Sequence, residues 1–138
     1  MHEWSLAEAV VATVEKIRSE NNGRRVLAVR VRLGELQKIE MDAFREGLRA
    51  SLKDCGYGLE VFEFVDEEAS FRCRSCAREW QLATVPGLGD EEREAIHFLP
   101  ESAYVYMRCP GCGSPDFDVA AGRGVTIESV DLEAGAGA

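Results

Sequence analysis

The stretch FRCRSCAREW, residues 71–80, lies mid-chain and has a counterpart further on, MRCPGCGSPDF, residues 107–117. Each contains a Cys-x-x-Cys knuckle, Cys73/Cys76 in the first and Cys109/Cys112 in the second. A knuckle of this spacing turns tightly, so both sulfurs point into one concavity where local amides can bond them. Gly111 and Gly113 give the second turn the backbone freedom this needs. Two facing knuckles make a closed tetrahedral shell of four thiolates, the donor set of a structural Zn(II) site with Zn–S of about 2.3 Å. Tetrahedral sulfur also suits iron. Redox-active dithiols are a third reading, but a thioredoxin-type pair belongs at a helix start within a βαβ setting, which neither knuckle has. The segment reads as a zinc-ribbon-like module, residues 67–121, inserted into a second domain.

That second domain is legible on either side. Ser5-Leu6-Ala7-Glu8 reads as a capping box opening a helix. Leu6, Val10, Val14 and Ile17 then recur at helical spacing, and Asn21-Asn22-Gly23 stops the run. Leu27, Val29, Val31 and Leu33 alternate with Ala28, Arg30 and Arg32, the pattern of a half-buried strand. Met41, Phe44, Leu48 and Leu52 place a second helix over residues 41–54, ended by Gly56-Tyr57-Gly58. Leu59 to Asp66 is a second strand. Two strands are marginal alone, so Val125 to Leu132 is expected to return as a third. The expected class is α+β: a small sheet with two helices over residues 1–66, completed by a strand in 122–132. Residues 133–138, ending AGAGA, are expected to be a disordered tail.

Within the module, Trp80-Gln81-Leu82 reads as a strand and Asp90 to Ile96 as a short helix capped by Asp90. Tyr104 to Arg108 reads as a strand running into the third cysteine. Gly87-Leu88-Gly89 reads as a hinge. His97 follows the helix and is either a half-packed surface residue or a metal ligand. Cys55, apart from the other four cysteines, reads as a small apolar packer.

The 138 residues carry a net charge of −9, with 46% hydrophobic and 30% charged content. Such a composition is that of a soluble globular protein. Its acidity disfavours capture of a polyanion, so no nucleic acid is expected as a partner. Arg72, Arg74, Arg78 and Arg108 do cluster around the knuckles, which keeps a zinc-ribbon module for nucleic acid or a transcription complex as the alternative. The first twenty residues hold Glu3, Glu8 and Glu15 and no signal-like apolar run, so a cytoplasmic protein without a membrane segment is expected. A reducing compartment favours metal-bound over disulfide-bonded cysteines.

The chain begins Met-His-Glu-Trp. A terminal amine and the His2 amide nitrogen close a five-membered chelate ring; that amide and the His2 Nδ1 close a six-membered one. Three such nitrogens lie in one plane, which suits square-planar Ni(II) or Cu(II). The alternative is a plain exposed histidine.

The Met-His-Glu start, LGELQ at residues 33–37, the two knuckles and the GRGV stretch at 122–125 together resemble the HypA family. The resemblance covers nearly the whole chain. The long segment from Ala77 to Arg108 resembles archaeal members, whereas many others have a short spacer. HypA proteins are non-enzymatic nickel metallochaperones of [NiFe]-hydrogenase maturation. The resemblance implies a nickel site at Met1, His2 and Glu3, with His97 as a candidate further ligand. It implies structural Zn(II) at Cys73, Cys76, Cys109 and Cys112, and Ni(II) as transient cargo. It further implies the HypB GTPase and a hydrogenase large subunit as partners, with urease as the other client served by related proteins.

Overall fold

The computed structural model describes residues 2–135, with His2 described in its backbone alone; the tail from residue 136 lies outside the described residues. The chain forms two compact units. One takes the residues up to Arg32, Ile39–Val65 and those from Val125 on; the other takes Leu33–Lys38 and Asp66–Gly124. The short segment Leu33–Lys38 therefore belongs with the cysteine-bearing unit.

In the first unit, helix α1 (His2–Glu20) packs on helix α2 (Met41–Ser51). Strand β1 (Val26–Gly34) runs between β2 (Phe62–Glu67) and β6 (Val125–Leu132), in the order β2-β1-β6. The buried stripe of α1 is Ala7, Val10, Val11 and Val14; Leu6 and Ile17, at its margin, line a groove with Val125 and Ile127. Asn22 and Gly23 both adopt positive φ, and the Arg18 carbonyl accepts from the Gly23 amide at 2.9 Å, closing the helix in a Schellman turn. Phe44 on α2 is fully buried and meets Phe64 of β2 edge-on at 5.9 Å. On the open face, Arg30 and Arg32 of β1 both bond Glu128 of β6, at 3.0 and 2.7 Å.

The second unit is an antiparallel sheet, order β4-β3-β5, of β3 (Ser70–Cys73), β4 (Glu79–Gln81) and β5 (Phe117–Ala121). Its register sets Phe71 opposite Trp80 and Cys73 opposite Phe117. Phe71, Trp80 and Phe117 consequently meet with ring centroids 5.3–5.9 Å apart, and Tyr104 stacks on Phe117 at 4.7 Å. Helix α3 (Asp90–Phe98) and the single turn α4 (Ala103–Tyr106) cover this core through Ile96 and Ala103. A 3-10 turn, Glu35–Gln37, inserts Leu36 into the same cluster.

Four local expectations are corrected. Helix α1 begins at His2, so Ser5 is inside it and caps nothing. The start is held from outside, by the Glu3 carboxylate accepting the Glu40 amide at 3.1 Å. Residues 103–106 are helical rather than extended, because Pro100 opens a 3-10 turn that the next residues continue. Helix α3 is capped at Gly89, not Asp90, and runs to Phe98, so His97 is within it. Gly87-Leu88-Gly89 is no free hinge: Leu88 is buried, and the Arg93 guanidinium donates to the carbonyls of Leu82, Val85 and Leu88 at 3.1, 3.1 and 2.7 Å.

Gly47 sets how closely α2 approaches the first turns of α1. A Cβ there would stand 2.9 Å from the Ala7 Cβ and 3.2 Å from the Trp4 Cα, neither of which can swing away. Gly47→Leu should therefore cost about 1–3 kcal/mol by overpacking, despite leucine's higher helix propensity, read as a lower urea midpoint.

Candidate metal centre

The two knuckles are built alike. In the first, the Cys73 amide donates to the Arg78 carbonyl at 2.8 Å, and the Ala77 amide returns to the Cys73 carbonyl at 3.0 Å. In the second, the Cys109 amide donates to the Ser114 carbonyl at 2.9 Å, and the Gly113 amide to the Cys109 carbonyl at 2.9 Å. Both turns put the residue after the second cysteine at positive φ, 65° at Ala77 and 76° at Gly113. Glycine takes that conformation freely, whereas alanine is strained in it by about 1–3 kcal/mol.

Those turns aim amides at sulfur. Cys73 Sγ accepts from the amides of Ser75 and Cys76 at 3.3 and 3.4 Å. Cys109 Sγ accepts from those of Gly111 and Cys112 at 3.3 and 3.5 Å. The four sulfurs lie within 4.8 Å of one another, with Cys73–Cys112 and Cys76–Cys109 both at 3.5 Å. A tetrahedron with metal–sulfur distances of about 2.3 Å has edges of about 3.8 Å, so the spacing fits a four-coordinate ion. The four-cysteine cluster is a metal-binding site. Cys73 and Cys109 are buried beneath it, while Cys76 and Cys112 face solvent.

Electrostatics divide the thiols in the same way. The Cys112 amide, ahead of that of Gly111, holds Cys109 down to about 6. Amide bonds from Cys76 and then Ser75 also lower Cys73. At Cys112 the Ser114 amide acts downward, but hydrogen bonding to the Cys73 sulfur and to those of Cys76 and Cys109 outweighs it and pushes the thiol up to about 11. One sulfur in each knuckle is thus the more readily ionised, and the others would give up their protons to an arriving cation.

Arg74, in the first knuckle, is neutralised locally. Its Nε donates to Asp118 Oδ2 at 2.9 Å, a second guanidinium nitrogen pairs with the same carboxylate, and Asp116 lies 3.5 Å away. That charge is spent within the unit rather than offered to a phosphate backbone.

The structure does not bring the other expected site residues into one described cluster. Met1 and the His2 side chain lie outside the described residues, and the Glu3 carboxylate serves the Glu40 amide. His97, on α3, sets its Nε2 3.2 Å from Glu35 Oε2. Reading the sequence missed Glu35. Only its place directly behind the buried end of β1 could have drawn attention to it.

Fold and cluster define a small α+β metal-binding protein. The chain matches the family "Hydrogenase/urease nickel incorporation, metallochaperone, hypA" over residues 1–132, and it belongs to that family. It is 44% identical over 138 residues to the hydrogenase maturation factor HypA of Pyrococcus abyssi, with 96% of each chain covered. To that of Thermococcus onnurineus it is 42% identical over 135 residues, again with 96% of each covered. Among solved structures, the nickel metallochaperone HypA from Helicobacter pylori shares the fold with a TM-score of 0.62 at 18% identity, covering 96% of this chain and 98% of that one. Another structure of a HypA protein matches with a TM-score of 0.64 at 19% identity, covering 96% and 97%. None of the described helices is long and apolar enough to cross a membrane.

Two outcomes follow for the cluster. Replacing any one of Cys73, Cys76, Cys109 or Cys112 by serine should release the metal and loosen residues 70–121 while α1 stays folded; hydrogen exchange resolves the two regions. In the metal-free chain, thiolate absorbance should rise first near pH 6 and last near pH 11. Since Cys109 lies below the ordinary thiol range, the stability from its amide bonds is complete above that range and is lost as pH falls through about 6.

Proposed function

We propose that the chain is a non-enzymatic nickel carrier with a structural zinc site. It binds Ni(II) through the Met1 amine, the His2 amide and the His2 ring, with Glu3 beside them, and delivers it during [NiFe]-hydrogenase maturation. The observation that carries this reading is the family match, which begins at the Met-His-Glu start and runs through both knuckles to residue 132.

Several features support the assignment of metals. The sulfur spacing suits tetrahedral zinc, and four thiolates in a closed shell leave no open position for exchange. A planar set of three nitrogens, by contrast, suits Ni(II) and leaves a corner open for transfer. The first turn of α1 is held through Glu3 and Glu40, which limits fraying beside the chelate. His97 is the candidate for the fourth corner. The zinc would contribute on the order of 10–16 kcal/mol to folding of its unit, by analogy with isolated zinc fingers.

The working partners on this reading are the HypB GTPase and a hydrogenase large subunit, met in the cytoplasm. The family description covers urease as well, and urease is the other candidate client.

His2→Ala, or one residue added before Met1, should abolish nickel binding and leave zinc in place, measured by metal analysis of tag-free protein. The first change removes the ring and the second the terminal amine. Ring and amine have reference pKa values of about 6.5 and 7.7–8.0, so nickel affinity should fall as pH drops below about 7. An N-terminally extended protein that bound nickel unchanged would overturn the assignment.

A further inference from the structure

Between the end of α3 and the third cysteine, the second unit leaves a run of apolar side chains uncovered. Phe98 is 90% exposed and Val105 77%, and Leu99, Tyr104 and Tyr106 are each about half exposed. Helix α3, the 3-10 turn Pro100–Ser102 and α4 pack on one another, so all five lie in one small region. Single exposed apolar residues need no explanation, but a cluster of them marks an interaction site.

The backbone beneath the cluster is fixed. The Leu99 amide donates to the Ala95 carbonyl at 2.8 Å. The Leu99 carbonyl accepts both the Ser102 amide at 2.9 Å and the Ser102 hydroxyl at 2.7 Å. Ile96, Ala103 and Met107 are buried on either side, and Tyr104 stacks on Phe117. Side chains standing out from a backbone bonded in this way are already presented, so little ordering entropy is lost when a partner covers them.

Charge decides what that partner is. Residues 90–106 hold five carboxylates and one arginine. The arginine, Arg93, is folded onto the carbonyls of Leu82, Val85 and Leu88. On α3, Glu91, Glu94 and Phe98 recur at helical spacing and share a face. Lys38 pairs with Glu94, whereas Glu91 and Glu101 are exposed and neither pairs with a described cation. An acidic rim beside apolar anchors draws in a cationic surface and repels an anionic one. A second copy of the chain would bring the same carboxylates and a net charge of −9, which opposes self-association through this face.

We propose that Phe98, Leu99, Val105 and Tyr106 form a docking surface for a partner protein that offers apolar side chains flanked by lysine or arginine. Phe98 and Val105 are the anchors, having the most area to lose to the partner. Glu91 and Glu101 select its charge. The surface lies within the second unit alone and is independent of both metal assignments made above.

The probes are short synthetic peptides of leucine, phenylalanine and lysine, each with a counterpart of the same apolar sequence in which glutamate replaces lysine. Full-length protein with its four-cysteine site loaded is titrated by fluorescence anisotropy, and amide NMR shifts map the contact. Lysine peptides should bind at least about tenfold more tightly than their glutamate counterparts and shift amides at 98–106. The difference should shrink in 1 M salt, where the screening length falls to about 3 Å. F98A/V105A should weaken lysine-peptide binding about 30-fold, the loss expected of interface anchors, and keep the parent urea midpoint because both side chains already stand in solvent. E91Q/E101Q, which removes no described contact, should bring the lysine-peptide affinity towards that of the glutamate peptide. Failure of every lysine peptide to bind, equal binding by the two kinds, shifts confined outside 90–106, or parent-like affinity in both variants would overturn the proposal. So would a concentration-dependent dimer in sedimentation, or cosedimentation with phosphatidylcholine vesicles, that F98A/V105A abolishes, since the occupant would then be a second copy or a lipid surface.

Discussion

Four sulfur atoms within 4.8 Å of one another cannot all be thiolates unless a cation lies among them. The protein alone can ionise only part of the set. Amides directed at Cys73 and Cys109 favour charge there, and the facing thiols of Cys76 and Cys112 are raised in response. A divalent ion would relieve the conflict, and in doing so it would fasten two turns that are far apart in sequence. Phe117 and Trp80 pack around Phe71, next to the cysteines, in the core that those turns border.

On the reading proposed above, the same chemistry explains how one chain would hold two metals without confusing them. Raw affinity would not separate zinc from nickel, because nitrogen and sulfur ligands bind both. Geometry does. Four sulfurs suit a closed tetrahedral shell, whereas a terminal amine, an amide and an imidazole are planar and incomplete. On the reading proposed above, retention and release belong to different donor sets rather than to different strengths of the same one.

What could be read from the sequence was whatever rests on local pattern. The knuckles, the stop at Asn22-Gly23, the α2 stripe through Phe44 and Leu48, and the strand at Val125–Leu132 all have periods or spacings that survive without tertiary context. The errors came where a distant residue decides. Ser5 looked like a cap because the external anchor, Glu40, lies 37 residues from Glu3. Gly87 and Gly89 looked loose because nothing nearby announces that Arg93 will fold back on three carbonyls. Tyr104–Tyr106 carry strand-forming residues, yet the turn begun at Pro100 overrides that preference. The pairing of Glu35 with His97 has no local signature at all.

Where the chain enters and leaves the second unit, its backbone runs side by side. Gly122 has φ +93°, and a Cβ on it would stand 2.4 Å from the Ala69 Cα; its amide donates to the Glu67 carboxylate at 2.7 Å. The Gly34 amide meets the Gly124 carbonyl at 2.8 Å within the same crowded crossing. An insertion whose two ends touch behaves as a closed loop on a clasp. Residues can be added to or removed from the stretch between the knuckles without pulling on the strands that the loop interrupts. Length variation in that spacer is therefore absorbed within the loop itself.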